Sequence, residues 1–182
     1  MIKTLGVIKK TAKHEQGFTL TEILMSVAIM GVLTSIATPP LIENLHRARQ
    51  SEASSLLSQL AVSAATYKDE FGEAPTTWED LSQISAVMTS NGPTGNSNGE
   101  LTTTITSANG DFDIKRSSGS DDYFVFIASP TGAGAAAKYN VVSCIDLSNG
   151  ASDIRLGGRN GLTGAATISD LTCKKSIPSP TP

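Results

Sequence analysis

Glu22 and the pair Cys144 and Cys173 are the side chains whose type and setting point to chemistry in this chain. Glu22 is the only charge between Phe18 and Ile42, a run that is otherwise apolar or hydroxyl-bearing. A carboxylate in such a setting is costly unless a cation or donor meets it. The two cysteines lie 29 residues apart. In an oxidising compartment they form a disulfide, closing a loop that stabilises by roughly 3–4 kcal/mol on the chain-entropy argument; two buried thiols are the alternative. A metal site suits them less, because the only histidines, His14 and His46, are remote in sequence. Asp121 and Asp122 form either a solvated turn or part of a cation site, and adjacent acids more often do the former. The stretch "GAGAAAK" lacks the strand-to-helix setting a phosphate loop needs and reads as a flexible loop. No serine-elbow, nucleotide-loop or H-E-x-x-H pattern is present. The chain reads as structural, not enzymatic, with no cofactor.

Glu22 must be positioned by a helix. From Phe18 to Ile42 the pattern is long enough to span a bilayer at 1.5 Å per residue. Gly31 and the pair Pro39 and Pro40 are where it bends or breaks. Beyond Pro40 the apolar residues Leu41, Leu45, Ala48, Leu56, Leu60, Ala64, Tyr67 and Phe71 recur at steps mostly of three and four, widened by Leu57 and Ala61. That spacing predicts an amphipathic helix. Gly72 and Pro75 end it. A short helix is expected in "TTWEDLSQI", with Thr76 or Thr77 as N-cap and Trp78 packed in the core. Strands are expected at residues 101–106, 112–115, 123–128, 139–147 and 166–171. Asn109–Gly110 reads as a hairpin turn and Gly119–Ser120 as a second turn. "NGASDIRLGGRNGLTG" reads as a loop.

Charge is distributed unevenly. Residues 1–17 carry Lys3, Lys9, Lys10 and Lys13 against Glu15, whereas residues 18–182 carry 10 basic and 16 acidic side chains. An acidic body excludes a general nucleic-acid surface, and DNA binding has no support from charge. A basic tip before an apolar run keeps the N-terminus in the cytoplasm and sends the rest across the membrane. Three readings fit. The first is a plain single-pass anchor. The second is a secretory signal cut after Ala37, releasing a binding module or an enzyme. The third depends on the residues around Glu22.

The stretch Gly17-Phe18-Thr19-Leu20-Thr21-Glu22, after a short basic leader and before an apolar helix, resembles the class III signal of type IV prepilins. The close resemblance covers about residues 1–45, with Gly31 and Pro39 where that family tends to have a glycine and a helix-bending proline. It implies that a prepilin peptidase cuts between Gly17 and Phe18 and methylates the new N-terminus. It implies that Glu22 pairs with the Phe18 amine of a neighbouring subunit and sets the register of a filament. The implied fold is α+β: a helical spine, half transmembrane and half amphipathic, on a small antiparallel β-sheet head. Its parts are a cleaved leader at 1–17, an apolar helix at 18–40, an amphipathic helix at 41–72, a head at 73–175 closed by Cys144 and Cys173, and a tail at 176–182. The implied partners are further copies of the chain, the peptidase, an assembly platform with minor pilins, and the inner membrane before surface assembly. The expected role is a type IV pilus subunit serving twitching motility, adhesion or DNA uptake. A type II secretion pseudopilin or a minor pilin is the alternative, and the cysteine pair favours the pilus.

Overall fold

The computed structural model of the chain describes residues 17–117, 122–132, 134–159 and 161–173. The leader before Gly17, the turn at Gly119–Ser120, Asp121 and the tail at 176–182 lie outside the described residues. The chain divides into two units, residues 1–42 and 43–182.

Helix α1, Leu20–Phe71, runs 52 residues and contributes to both units. In the first unit its apolar side chains are all exposed, among them Ile23, Leu24, Val27, Ile29, Val32, Leu33 and Ile36. It is the one helix among the described residues long and apolar enough to cross a membrane. Four of its hydroxyls are satisfied within the helix. Ser26 donates to the Glu22 carbonyl, Thr34 to Met30, Ser35 to Val32 and Thr38 to Thr34, at 2.7–2.8 Å. A helix in lipid requires this, because no water is there to accept a stray donor. Pro39 and Pro40 lie inside the helix without ending it. Each lacks an N–H, so the Ser35 and Ile36 carbonyls lose their usual donors.

In the second unit, α1 presents one buried face: Gln50, Ala53, Leu57, Leu60, Ala61, Ser63, Ala64 and Tyr67. This corrects the expected stripe. Leu41 and Leu45 are exposed and Phe71 is half-exposed, while Gln50, Ala53 and Ser63 are buried in their stead. Polarity hid Gln50 and Ser63 from a reading based on apolar spacing. The helix stops at Gly72, whose φ of 79° is the left-handed conformation of a C-cap and whose N–H reaches the Lys68 carbonyl at 2.9 Å. Helix α2, Trp78–Ile84, begins with a capping box. Thr77 accepts from the Asp80 N–H, and the Asp80 carboxylate accepts from the Thr76 and Thr77 N–H groups.

The sheet is an antiparallel meander in the order β3 (Ile105–Thr106), β4 (Phe112–Ser117), β5 (Tyr123–Pro130), β6 (Val141–Asp146) and β7 (Ser152–Leu156). A separate small hairpin pairs β1, Met88–Thr89, with β2, Gly92–Pro93. Alternation decides which side chains face α1. Phe124, Phe126 and Ala128 of β5, with Ile114, Val141 and Ile145, join Leu57, Leu60, Ala64, Trp78 and Leu81 in one core. The opposite face buries Val125 and Cys144 beneath Cys173, with Ile127 and Leu171 packed against them. The second unit is therefore an α+β fold, residues 43–71 of the long helix packed on an antiparallel sheet.

Four local expectations are corrected. "NGASDIRLGGRNGLTG" contains β7, which pairs with β6 from Val141↔Leu156 to Ile145↔Ser152. The expected strand at 166–171 is instead a 3₁₀ turn at Ile168–Asp170. Only Ile105–Thr106 of residues 101–106 joins the sheet. The stretch "GAGAAAK" lies mostly in a 3₁₀ helix, Gly134–Tyr139. The turn at Asn109–Gly110 is present, with φ of 75° at Gly110 and the Ser107 N–H bonded to the Phe112 carbonyl.

Candidate functional site

Gly17, Phe18 and Thr19 precede α1 and lie outside regular secondary structure. Phe18 is 81% exposed, and a Cβ built on Gly17 meets nothing within 4 Å. The stretch is thus exposed and free of helix at Gly17 and Phe18.

Glu22 has a partner that sequence reasoning missed. Its Oε2 accepts from the Thr19 N–H at 3.1 Å and from the Thr19 hydroxyl at 2.9 Å. Its own N–H donates to Thr19 Oγ1 at 3.3 Å. This reciprocal pair is a capping box with Thr19 as N-cap and Glu22 as N3, and it satisfies donors left over at the start of α1. The signal was present as T-x-x-E before an apolar run. The Glu22 carboxylate therefore caps its own helix. Gly31 and Pro39 both lie within the exposed part of α1, and a Cβ on Gly31 also meets nothing within 4 Å.

In the second unit the structure joins Cys144 to Cys173, with Cα atoms 6.1 Å apart. The bond fastens residue 173 to the central strands. Asp153 on β7 reinforces it, accepting from the Thr172 N–H at 2.9 Å and hydroxyl at 2.8 Å. Burial pushes the Asp153 carboxyl up, but the Thr172 and Ile154 donors outweigh that and hold it below the usual value. A buried polar clamp ties α1 to the loop after β7. Gln50 Nε2 donates to the Asn140 carbonyl at 3.1 Å and the Gly157 carbonyl at 2.8 Å. The Asn140 amide in turn bonds both backbone groups of Ala166, each at 2.7 Å.

The remaining candidates have ordinary partners. His46 stacks on Tyr139 with ring centroids 5.1 Å apart. Asp122 pairs with Lys68. Trp78 is fully buried and donates to the Thr103 carbonyl at 2.9 Å.

Comparison with known proteins bears on the same segment. Residues 12–38 match the family described as a prokaryotic N-terminal methylation motif. The chain is similar to the type II secretion system core protein G of Aeromonas hydrophila, 32% identical over 72 residues that cover 40% of this chain and 50% of that protein. The core protein G of Dickeya chrysanthemi is 33% identical over 72 residues, 40% of this chain and 47% of that protein. That of Vibrio cholerae serotype O1 is 32% identical over 75 residues, 41% and 51% respectively. The chain thus spans about half the length of the curated relatives it matches. No solved structure matches it. The chain carries a prepilin-type N-terminal methylation motif at the head of a long helix, and the second half of that helix packs on an antiparallel sheet in the manner of the type IV pilin fold.

Proposed function

We propose that this chain is a structural subunit of a pilin-like filament of the type II secretion kind, cut after Gly17, methylated at Phe18 and polymerised through its N-terminal helix. The observation that carries this reading is the methylation motif on a chain whose relatives are named as core proteins of that system. It reverses the order expected from the sequence, where the pilus came first and the pseudopilin second. The chain is not an enzyme in this reading.

The physical logic runs through the exposed apolar half of α1. Such a face needs lipid before assembly and other subunits afterwards. Cleavage creates a cationic amine on Phe18 at the end of that helix. Glu22 of a neighbour can then exchange its bonds to Thr19 for an ion pair, and in an apolar core only a stagger that joins the two charges is tolerated. The peptidase, the inner membrane and further copies of the chain are the partners implied.

Mass spectrometry of the mature N-terminus tests processing: methylated Phe18 is expected, and an N-terminus at Thr38 sinks the proposal in favour of ordinary secretion. Deleting the gene tests the assignment. Loss of protein export with surface fibres intact supports the secretion filament. Loss of surface fibres and twitching with export intact supports a type IV pilus subunit instead, the reading that the disulfide-closed head favours.

A further inference from the structure

The second unit is electrically polarised along α1. At the end where α1 enters this unit, Arg47 and Arg159 line an open cleft of about 610 Å³ with Gly158, Gly161, Leu162 and Thr163. Arg159 Nη2 donates to the Arg47 carbonyl at 3.1 Å, and its Nε has no hydrogen-bond partner among the described residues. Lys138 adjoins, its side chain 3.8 Å from the position of a Cβ on Gly158. Of the acids at this end, Glu43 pairs with Arg47 and Asp111 with Arg49 at 3.0 Å, and Glu52 accepts a hydrogen bond from the Asn109 amide. Lys138 and Arg159 form no ion pair among the described residues. At the other end of the helix segment the sign is opposite. Asp69, Glu70 and Glu73 are exposed and likewise form no ion pair among the described residues, while the nearby cation Lys68 is taken by Asp122. About 35 Å of helix separates the two ends, several Debye lengths at physiological salt.

Residues 43–182 carry 10 basic and 15 acidic side chains, a net charge of −5, so two such heads repel at long range. One arrangement gives attraction at contact: the cationic end of one head against the acidic end of the next. We propose that the head carries a head-to-tail docking surface for a second copy of this chain, in which Lys138 and Arg159 of one copy meet Glu70 and Glu73 of the next. This rests on the filament reading above and deepens it by naming which surfaces of the heads meet. The charges act on orientation and register more than on raw affinity, as charged rims do at protein interfaces.

Charge reversal in the full chain tests it, in cells that lack the native copy but keep its peptidase and assembly proteins. Three variants are compared with the unaltered chain: Lys138→Glu with Arg159→Glu, Glu70→Lys with Glu73→Lys, and all four together. Fibre yield after shearing is read beside N-terminal processing and protease resistance of the disulfide-bonded head. Each two-residue reversal is expected to cut fibre yield about tenfold with processing unchanged, because it sets like charges opposite one another. The four-residue exchange is expected to restore most of it. The acidic-end variant is decisive because it changes the net charge from −5 to −1. General repulsion between heads therefore predicts more fibre from it, and complementarity predicts less. Unchanged or increased yield from that variant overturns the proposal. So does loss confined to the basic-end variant without rescue, which assigns the cations to an anionic membrane surface. If Lys138→Glu with Arg159→Glu fails the protease check, Lys138→Gln with Arg159→Gln replaces it and is expected to lose fibre too; unchanged yield from it overturns the proposal. Absence of any polymer from the unaltered chain is a different outcome: it overturns the filament reading, and this proposal with it.

Discussion

Gly157 is the residue in the head with the least room to change. A Cβ there would overlap the Lys138 carbonyl oxygen, lie 2.5 Å from Asn140 Oδ1 and 2.9 Å from the Ala166 nitrogen. Two of those atoms are backbone, so the clash cannot be relieved by turning a side chain. Gly157→Ala is expected to destabilise the head by about 2–4 kcal/mol, within the range of overpacked cores and broken polar networks. A thermal melt of the detergent-solubilised chain checks this, and an unchanged midpoint refutes the close approach. Gln50 belongs to the same clamp. Gln50→Leu keeps the volume but removes the donor from the Asn140 and Gly157 carbonyls; the Asn140 carbonyl still accepts from the Gly157 N–H at 3.0 Å. A loss of about 1–3 kcal/mol is expected, the cost of leaving a buried acceptor short of a donor, and denaturant unfolding measures it. Neither residue was singled out in the sequence: a glycine in "RLGGRNG" looks like any loop glycine, and a glutamine on an amphipathic helix looks like its wet face.

The capping boxes and the disulfide act on whole elements. Thr77→Ala removes the N-cap of α2 and is expected to cost about 1 kcal/mol. Its partner Asp80 adds a pH dependence. Burial pushes the Asp80 carboxyl up, but the N–H groups and hydroxyls of Thr77 and Thr76 lower it further, so it sits below the ordinary value of 3.8. A carboxylate depressed in the folded state contributes stability above its unfolded pKa and loses it as pH falls through the folded one. Stability is therefore expected to decline below about pH 4, and Asp80→Asn to flatten that decline. Melting temperatures between pH 2 and 6 decide; an unaltered slope in the variant removes Asp80 from the account. Replacing Cys144 and Cys173 by serine is expected to cost roughly 3–4 kcal/mol and to free the end at Thr172 and Cys173 from β6. The Asp153 bonds to Thr172 remain, so protease susceptibility there is the sensitive readout. At this scale Thr77 and the cysteine pair were legible because each is local or compositional. Strand β7 was not. "SDIRL" is too short and polar for alternation to reveal it, and its place was decided by pairing with β6.

The whole molecule divides its labour between two units with opposite needs. Residues 20–42 expose apolar side chains and turn four of their hydroxyls back onto the helix, whereas residues 43–173 bury a core around Trp78, Phe124 and Phe126. A fragment of residues 43–182, made in an oxidising compartment, is expected to be soluble and to form the Cys144–Cys173 bond. Gel filtration and circular dichroism check it, and aggregation refutes the independence of the head. Filament formation is expected to be lost in that fragment, since the exposed apolar face has gone with residues 1–42.

By itself the sequence determined the long helix, its change of character near Pro40, the methylation-type motif that includes Gly17 and Phe18, and the two cysteines able to bond. All of these depend on neighbours along the chain: periodicity, capping and composition act over a few residues. Tertiary structure alone decided which residues of the helix are buried, why Gly157 must be glycine, that β7 closes the sheet, and that the charges sort to opposite ends of the head. The buried face of the helix follows from groups brought together across 90 residues or more, as when Gln50 meets Asn140 and Gly157, whereas β7 and Gly157 depend on strand pairing and close packing with nearer segments. No short-range pattern carries that information, because packing selects partners by shape and satisfaction in space and not by spacing along the chain.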